Sequence, residues 1–177
     1  MKGRADTDDA ADDEGRHRPE RPRTDYGGAV YGALLAASVV AGTGALGPYH
    51  RVGLVVILLV TGLVFWAAHA YSRLVGERDT YRHPTWAVIG RVARDEWPIF
   101  QAAVPPALAV AISPLLGLDL EGTAWFALSV ALAEQIGWAG AAEVRAGGSR
   151  RRVLASGVVN LVLGLVIVIL KAFLHEH

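Results

Sequence analysis

Five stretches of the chain, 26–46, 52–72, 98–118, 120–142 and 153–173, run for about twenty residues each with almost no charge. That many residues of helix, at 1.5 Å per residue, reach across a hydrocarbon core of about 30 Å. Lipid offers backbone groups no hydrogen-bond partners, so each stretch is a helix or a strand of a closed barrel. The run GLVVILLV at 53–60 has none of the alternation a barrel wall needs, which predicts helices. The expected fold class is therefore all-α: a polytopic membrane helical bundle of five transmembrane helices, a single domain over 26–174.

The polar positions between these stretches decide how the chain is threaded. Residues 1–25 hold Asp6, Asp8, Asp9, Asp12, Asp13 and Glu14, then Arg16, Arg18, Arg21 and Arg23, with almost nothing apolar to bury. Such a segment cannot offset its ordering entropy and reads as a disordered, charged cytoplasmic tail. Its charged leader is too long for a signal peptide. Of the 17 Lys and Arg residues, six lie in the tail, five between Arg73 and Arg94 and four between Arg145 and Arg152. With five spans those fifteen share one side, and Arg51 and Lys171 stand opposite. This is a strong positive-inside bias. The first stretch is diluted by Gly27, Gly28, Gly32, Gly42 and Gly44, but if it failed to span, the tail would move beside Arg51 and the bias would collapse. The expectation is five spans, N-terminus cytoplasmic and C-terminus external, in the bacterial cytoplasmic membrane. The balance of 17 acidic against 17 basic residues hides this asymmetry.

Proline and small residues add detail. Pro84 opens a segment, 85–97, in which Trp86, Ile89, Ala93 and Trp97 share one helical side and Arg91, Arg94 and Asp95 the other. It reads either as a helix on the cytoplasmic surface or as an extension of the third span. Pro105 and Pro106 predict a kink in that span, because they supply no N–H to the carbonyls of Gln101 and Ala102. Gly28, Gly32 and Ala36 in the first span, and Ala133, Gly137 and Ala141 in the fourth, recur every four residues as helix-packing stripes. Those faces suit contacts within the bundle, a homo-oligomer, or a partner membrane protein.

Candidate chemistry is confined to a few polar groups within the spans. A buried ionisable residue costs about 2.5–3.5 kcal/mol on the insertion scale and usually faces the bundle interior. His69, Gln101, Glu134 and Asn160 come from four different spans and, with Gln135, are expected in the cytoplasmic half, where the four form an intramembrane polar cluster. The favoured reading is structural: interhelical hydrogen bonds that tie the bundle together. The alternative is a proton relay or solute site built on His69 and Glu134, since histidine titrates near neutrality and burial raises a carboxyl pKa in general. An enzyme is disfavoured, because H-E-x-x-H, G-x-S-x-G and phosphate-loop motifs are missing. With no cysteine in the chain, thiolate chemistry and Cys-type metal sites are excluded. The His175-Glu176-His177 end is too short a donor set to assign a metal, and no cofactor is expected. The arginines are explained by topology, so nucleic acid is not expected as a partner.

The segments LVFWAAHAYS at 63–72 and EWPIFQAAVPP at 96–106, with the helix around Glu134, resemble small multi-pass integral membrane proteins of actinobacteria, a functionally uncharacterised group. Fifteen Arg against two Lys fits a GC-rich source. The resemblance implies localisation and architecture and supplies no substrate or catalytic residue. A membrane scaffold or accessory subunit is the remaining alternative.

Overall fold

The computed structural model describes residues 26–43, 50–76 and 85–175. They form helices α1 (Tyr26–Thr43), α2 (Arg51–Gly76), α3 (Trp86–Asp95), α4 (Trp97–Gln101), α5 (Val104–Ile112), a 3₁₀ turn (Ser113–Leu116), α6 (Leu120–Arg145) and α7 (Arg150–His175), with no strand among the described residues. The described residues thus make an all-helical fold. Three paths are long and apolar enough to cross a membrane: Arg51–Gly76, the broken path Trp97–Leu116, and Arg150–Phe173. Tyr26–Gly42 is apolar but shorter. The predicted tail 1–25, the end of the first stretch, and Glu176 and His177 lie outside the described residues.

α6 is the hub, packing against α1, α5 and α7, while α2 closes the other side against α5, α4 and α1. The core where they meet is built mainly from alanine: Ala36, Ala37 and Val40 of α1 with Ala124, Ala127, Leu128 and Ala131 of α6. Small side chains let backbones approach, which replaces the hydrophobic drive that lipid does not provide. The first predicted stripe is used in this way. A Cβ on Gly32 would lie 2.5 Å from the Ile99 carbonyl oxygen, and one on Gly62 of α2 would lie 2.7 Å from Ala103 Cβ. The second stripe is not. Ala133 and Gly137 are exposed, and a Cβ on Gly137 meets nothing within 4 Å. The buried face of α6 runs through Ala131, Gln135 and Ala139, and two helical positions turn the chain by about 200°, so Ala133 points the opposite way.

The third apolar stretch is broken just before its prolines. α4 ends at Gln101, Ala103 N–H bonds to the Phe100 carbonyl in a tight turn, and α5 restarts at Val104. Pro105 and Pro106 therefore occupy the first turn of α5, where a missing N–H costs little. Ser113-Pro114 ends α5 in the 3₁₀ turn, and Gly117, at φ 68°, reverses the chain toward α6.

The 85–97 segment is helical, and it departs from the expected sides at Trp86. Val92 is buried while Trp86, at the start of the helix, is 87% exposed. The reason is a polar anchor at the far end of α3. Trp66 Nε1 donates to the Ala93 carbonyl at 2.7 Å, and Arg73 pairs with the buried Glu96 carboxylate at 2.9 Å. Trp66 and Trp97 meet edge to face, with ring centroids 5.4 Å apart, and these contacts turn Val92 and Ala93 toward α2.

Candidate intramembrane polar site

Helical rise sets the level of each polar group. Thr123 Oγ1 lies 2.9 Å from Ser113 Oγ. Counting twelve residues inward from that contact reaches Gln101 along α4–α5 and Gln135 along α6, each about 18 Å away at 1.5 Å per residue. Asn160 is bonded directly to Gln135. Gln101, Glu134, Gln135 and Asn160 therefore share one layer, near the middle of α6. His69 does not. Arg51 bonds to Thr123, and His69 is eighteen residues further along α2, about 9 Å nearer the Arg145 end than Gln135.

Within the layer the side chains separate into three environments. Gln135, fully buried, donates from Nε2 to Asn160 Oδ1 at 3.0 Å and to the Asn160 carbonyl at 3.1 Å. Asn160 Nδ2 in turn donates to the Ser156 carbonyl at 2.9 Å. α7 can come this close because Gly164, one turn on, leaves room for Leu132. Glu134 belongs to another face. Its Oε1 accepts from Trp138 Nε1 at 2.9 Å, while Oε2 is buried without a hydrogen-bond partner among the described residues. Trp138 packs on Tyr26, and Arg145 lies over the same Tyr26 ring, 5.4 Å from its centroid. Gln101 forms the third environment, exposed on the outer face of α4. His69 is exposed as well, its ring 5.2 Å from that of Tyr31.

Of the four residues singled out from sequence, Asn160 thus has a partner across helices, Glu134 is held within its own helix, and His69 and Gln101 face outward. Gln135 completes the Asn160 pair. Its signal was its one-turn spacing from Ala131 and Ala139 on the alanine face of α6. A second polar group, at the Asp119 end, was visible in sequence only as two stray cations. Arg51 donates to the Leu118 carbonyl and to Thr123 Oγ1, and Asp119 Oδ1 caps α6 by accepting from Gly122 N–H at 2.7 Å. Lys171 is 1% exposed, with Nζ 5.3 Å from the centre of the Trp125 ring and no hydrogen bond to the described residues.

This end behaves as a latch that fixes the start of α2 to the α5–α6 turn. Thr123→Val keeps the shape and removes the hydroxyl, and is expected to lower stability by about 1–2 kcal/mol, because Ser113 and Arg51 lose a buried partner. Thermal unfolding of the purified variant, followed by helicity, checks this. An unchanged midpoint would mean the latch carries no load.

No three His, Asp or Glu side chains gather as metal ligands among the described residues. No family model, curated protein or solved structure matches the chain.

Proposed function

We propose that this chain is a non-enzymatic integral protein of the bacterial cytoplasmic membrane. Its five spans are α1, α2, the α4–α5 path, α6 and α7, with the N-terminus cytoplasmic and the C-terminus external. Its mid-membrane polar residues hold helices together. The observation that carries this reading is the Gln135–Asn160 pair, in which Gln135 Nε2 donates to Asn160 across the helices and Asn160 Nδ2 donates to the Ser156 carbonyl, while Gln135 Oε1 is buried without a partner among the described residues. The outward placement of His69 and Gln101 supports the same conclusion, since a permeation path draws its polar side chains inward. The fifteen-to-two division of basic residues supports the orientation. A scaffold or accessory role, exercised on other membrane proteins, follows from such a bundle.

A second reading draws on the unpartnered Glu134 Oε2, next in the chain to the unpartnered Gln135 Oε1. A carboxyl with a free oxygen inside a span is what a proton-linked or solute pathway would use. Purified protein in liposomes with an internal pH dye separates the two. The structural reading predicts no proton flux above empty liposomes under a pH gradient, and no difference between wild type, Glu134→Gln and His69→Ala. Flux that Glu134→Gln abolishes would establish transport instead.

A further inference from the structure

We propose that the outer face of the α4–α5 path, centred on Gln101, is the self-association surface of this protein and that its occupant is a second copy of the same chain. The proposal needs only the Trp97–Leu116 path to lie in lipid, so it holds independently of the five-span reading.

Other exposed polar side chains of the long helices are satisfied within their own helix. Ser38 bonds back to the Leu34 carbonyl at 2.9 Å and Ser129 to the Trp125 carbonyl at 2.8 Å. Each hydroxyl is thus closed on its own helix and indifferent to lipid. Gln101 is different. Its amide is exposed and bonds to none of the described residues, in the same layer as Gln135, about 18 Å from the Ser113 contact. A primary amide has two donors and two acceptor lone pairs, and hydrocarbon can pair none of them. The backbone adds to the demand at the same residue, because Pro105 brings no N–H to the Gln101 carbonyl.

What fits an amide is another amide. Two copies related by a two-fold axis along this face would let each Gln101 Nε2 donate to the other's Oε1, with the proline-freed carbonyl as a further acceptor. An isologous contact requires a patch complementary to itself, and the donor-plus-acceptor pattern of one glutamine meets that requirement where a lone carboxylate or ammonium would not. The rest of the face offers no obstacle. Trp97, Leu108, Ile112 and Leu115 are exposed along the same side, an apolar surface on either hand of the amide. The small-residue face of α6 around Gly137 is the competing surface, but the unpartnered oxygen near it, Glu134 Oε2, is buried and is not presented to a partner.

The absence of native cysteine makes the test direct. Leu108→Cys, with Gln101 intact, is reconstituted in phosphatidylcholine–phosphatidylglycerol vesicles and oxidised. A disulfide-linked dimer is expected, and none from Val162→Cys on the exposed side of α7. Adding Gln101→Leu to the Leu108→Cys protein should remove most of the cross-link while tryptophan fluorescence and helicity stay as in the parent, because the new side chain faces lipid. In dilution series read by single-molecule fluorescence, Gln101→Leu should weaken dimerisation roughly tenfold and Gln101→Asn should recover part of the loss. A wild-type protein that stays monomeric at every lipid ratio overturns the proposal, as does a Gln101→Leu protein that dimerises like wild type. Cross-linking through Gly137→Cys in place of Leu108→Cys would also overturn it, moving the interface to α6.

Discussion

Gly32→Leu is expected to give a protein that no longer holds its folded bundle. At this position the first atom of any side chain would stand 2.5 Å from the Ile99 carbonyl oxygen and 3.1 Å from Ile99 Cα. Both are backbone atoms and cannot rotate away. α1 would have to leave α4, and with it the alanine face that it shares with α6 would open. Overpacking of this kind costs about 3 kcal/mol, a large part of the stability of a small domain. Gly53→Leu is the matching control, because a Cβ there meets nothing within 4 Å. Unfolding in a denaturing-detergent titration should show the midpoint of Gly32→Leu collapsed and that of Gly53→Leu near wild type. Equal midpoints would mean that α1 does not dock on α4 as described.

Asn160→Leu is expected to cost about 1–2 kcal/mol by leaving the fully buried Gln135 Nε2 without its side-chain acceptor. The informative measurement is the double-mutant cycle with Gln135→Leu. Each single change strands one polar group, whereas the double change strands neither, so the double variant should be more stable than the sum of the singles by about 1 kcal/mol. Strict additivity would show that the two amides do not work as a pair and would remove the main support for a structural role of this layer.

Much of the bundle was legible because its signals are one-dimensional. Helix and apolar length follow from composition over twenty residues, and the observed α2, α6 and α7 contain the predicted stretches. They extend beyond them at one or both ends, taking in Arg51, Arg73, Arg145 and Arg150, which continue the helices past the apolar stretches. The packing of Gly32 was likewise readable from a four-residue repeat. Faces were harder. Ala133-Gly137-Ala141 has the same repeat as Gly28-Gly32-Ala36, yet only the second is buried, because spacing gives periodicity but not the rotation of a helix about its axis. That rotation is set by which neighbour supplies the complementary surface. For α6 it is fixed by Gln135 meeting Asn160 and by Thr123 meeting Ser113 and Arg51. The same limit separates His69 and Gln101 from Glu134. Sequence put all four polar residues in the spans, and two of them turned outward. In α3 the expected sides hold for Ile89 and Ala93 against Arg91 and Arg94, but Trp86 is exposed, because the Trp66–Ala93 and Arg73–Glu96 bonds anchor the other end of the helix.

Site-specific thiol labelling tests most directly the proposal that five helices cross the membrane with the basic residues gathered on the cytoplasmic side. Single cysteines at Thr7, Asp119 and His175 of the cysteine-free chain would be exposed in intact cells to a membrane-impermeant maleimide. The five-span account predicts labelling from outside at Asp119→Cys and His175→Cys, and labelling of Thr7→Cys only after the membrane is opened. External labelling at Thr7→Cys would contradict it.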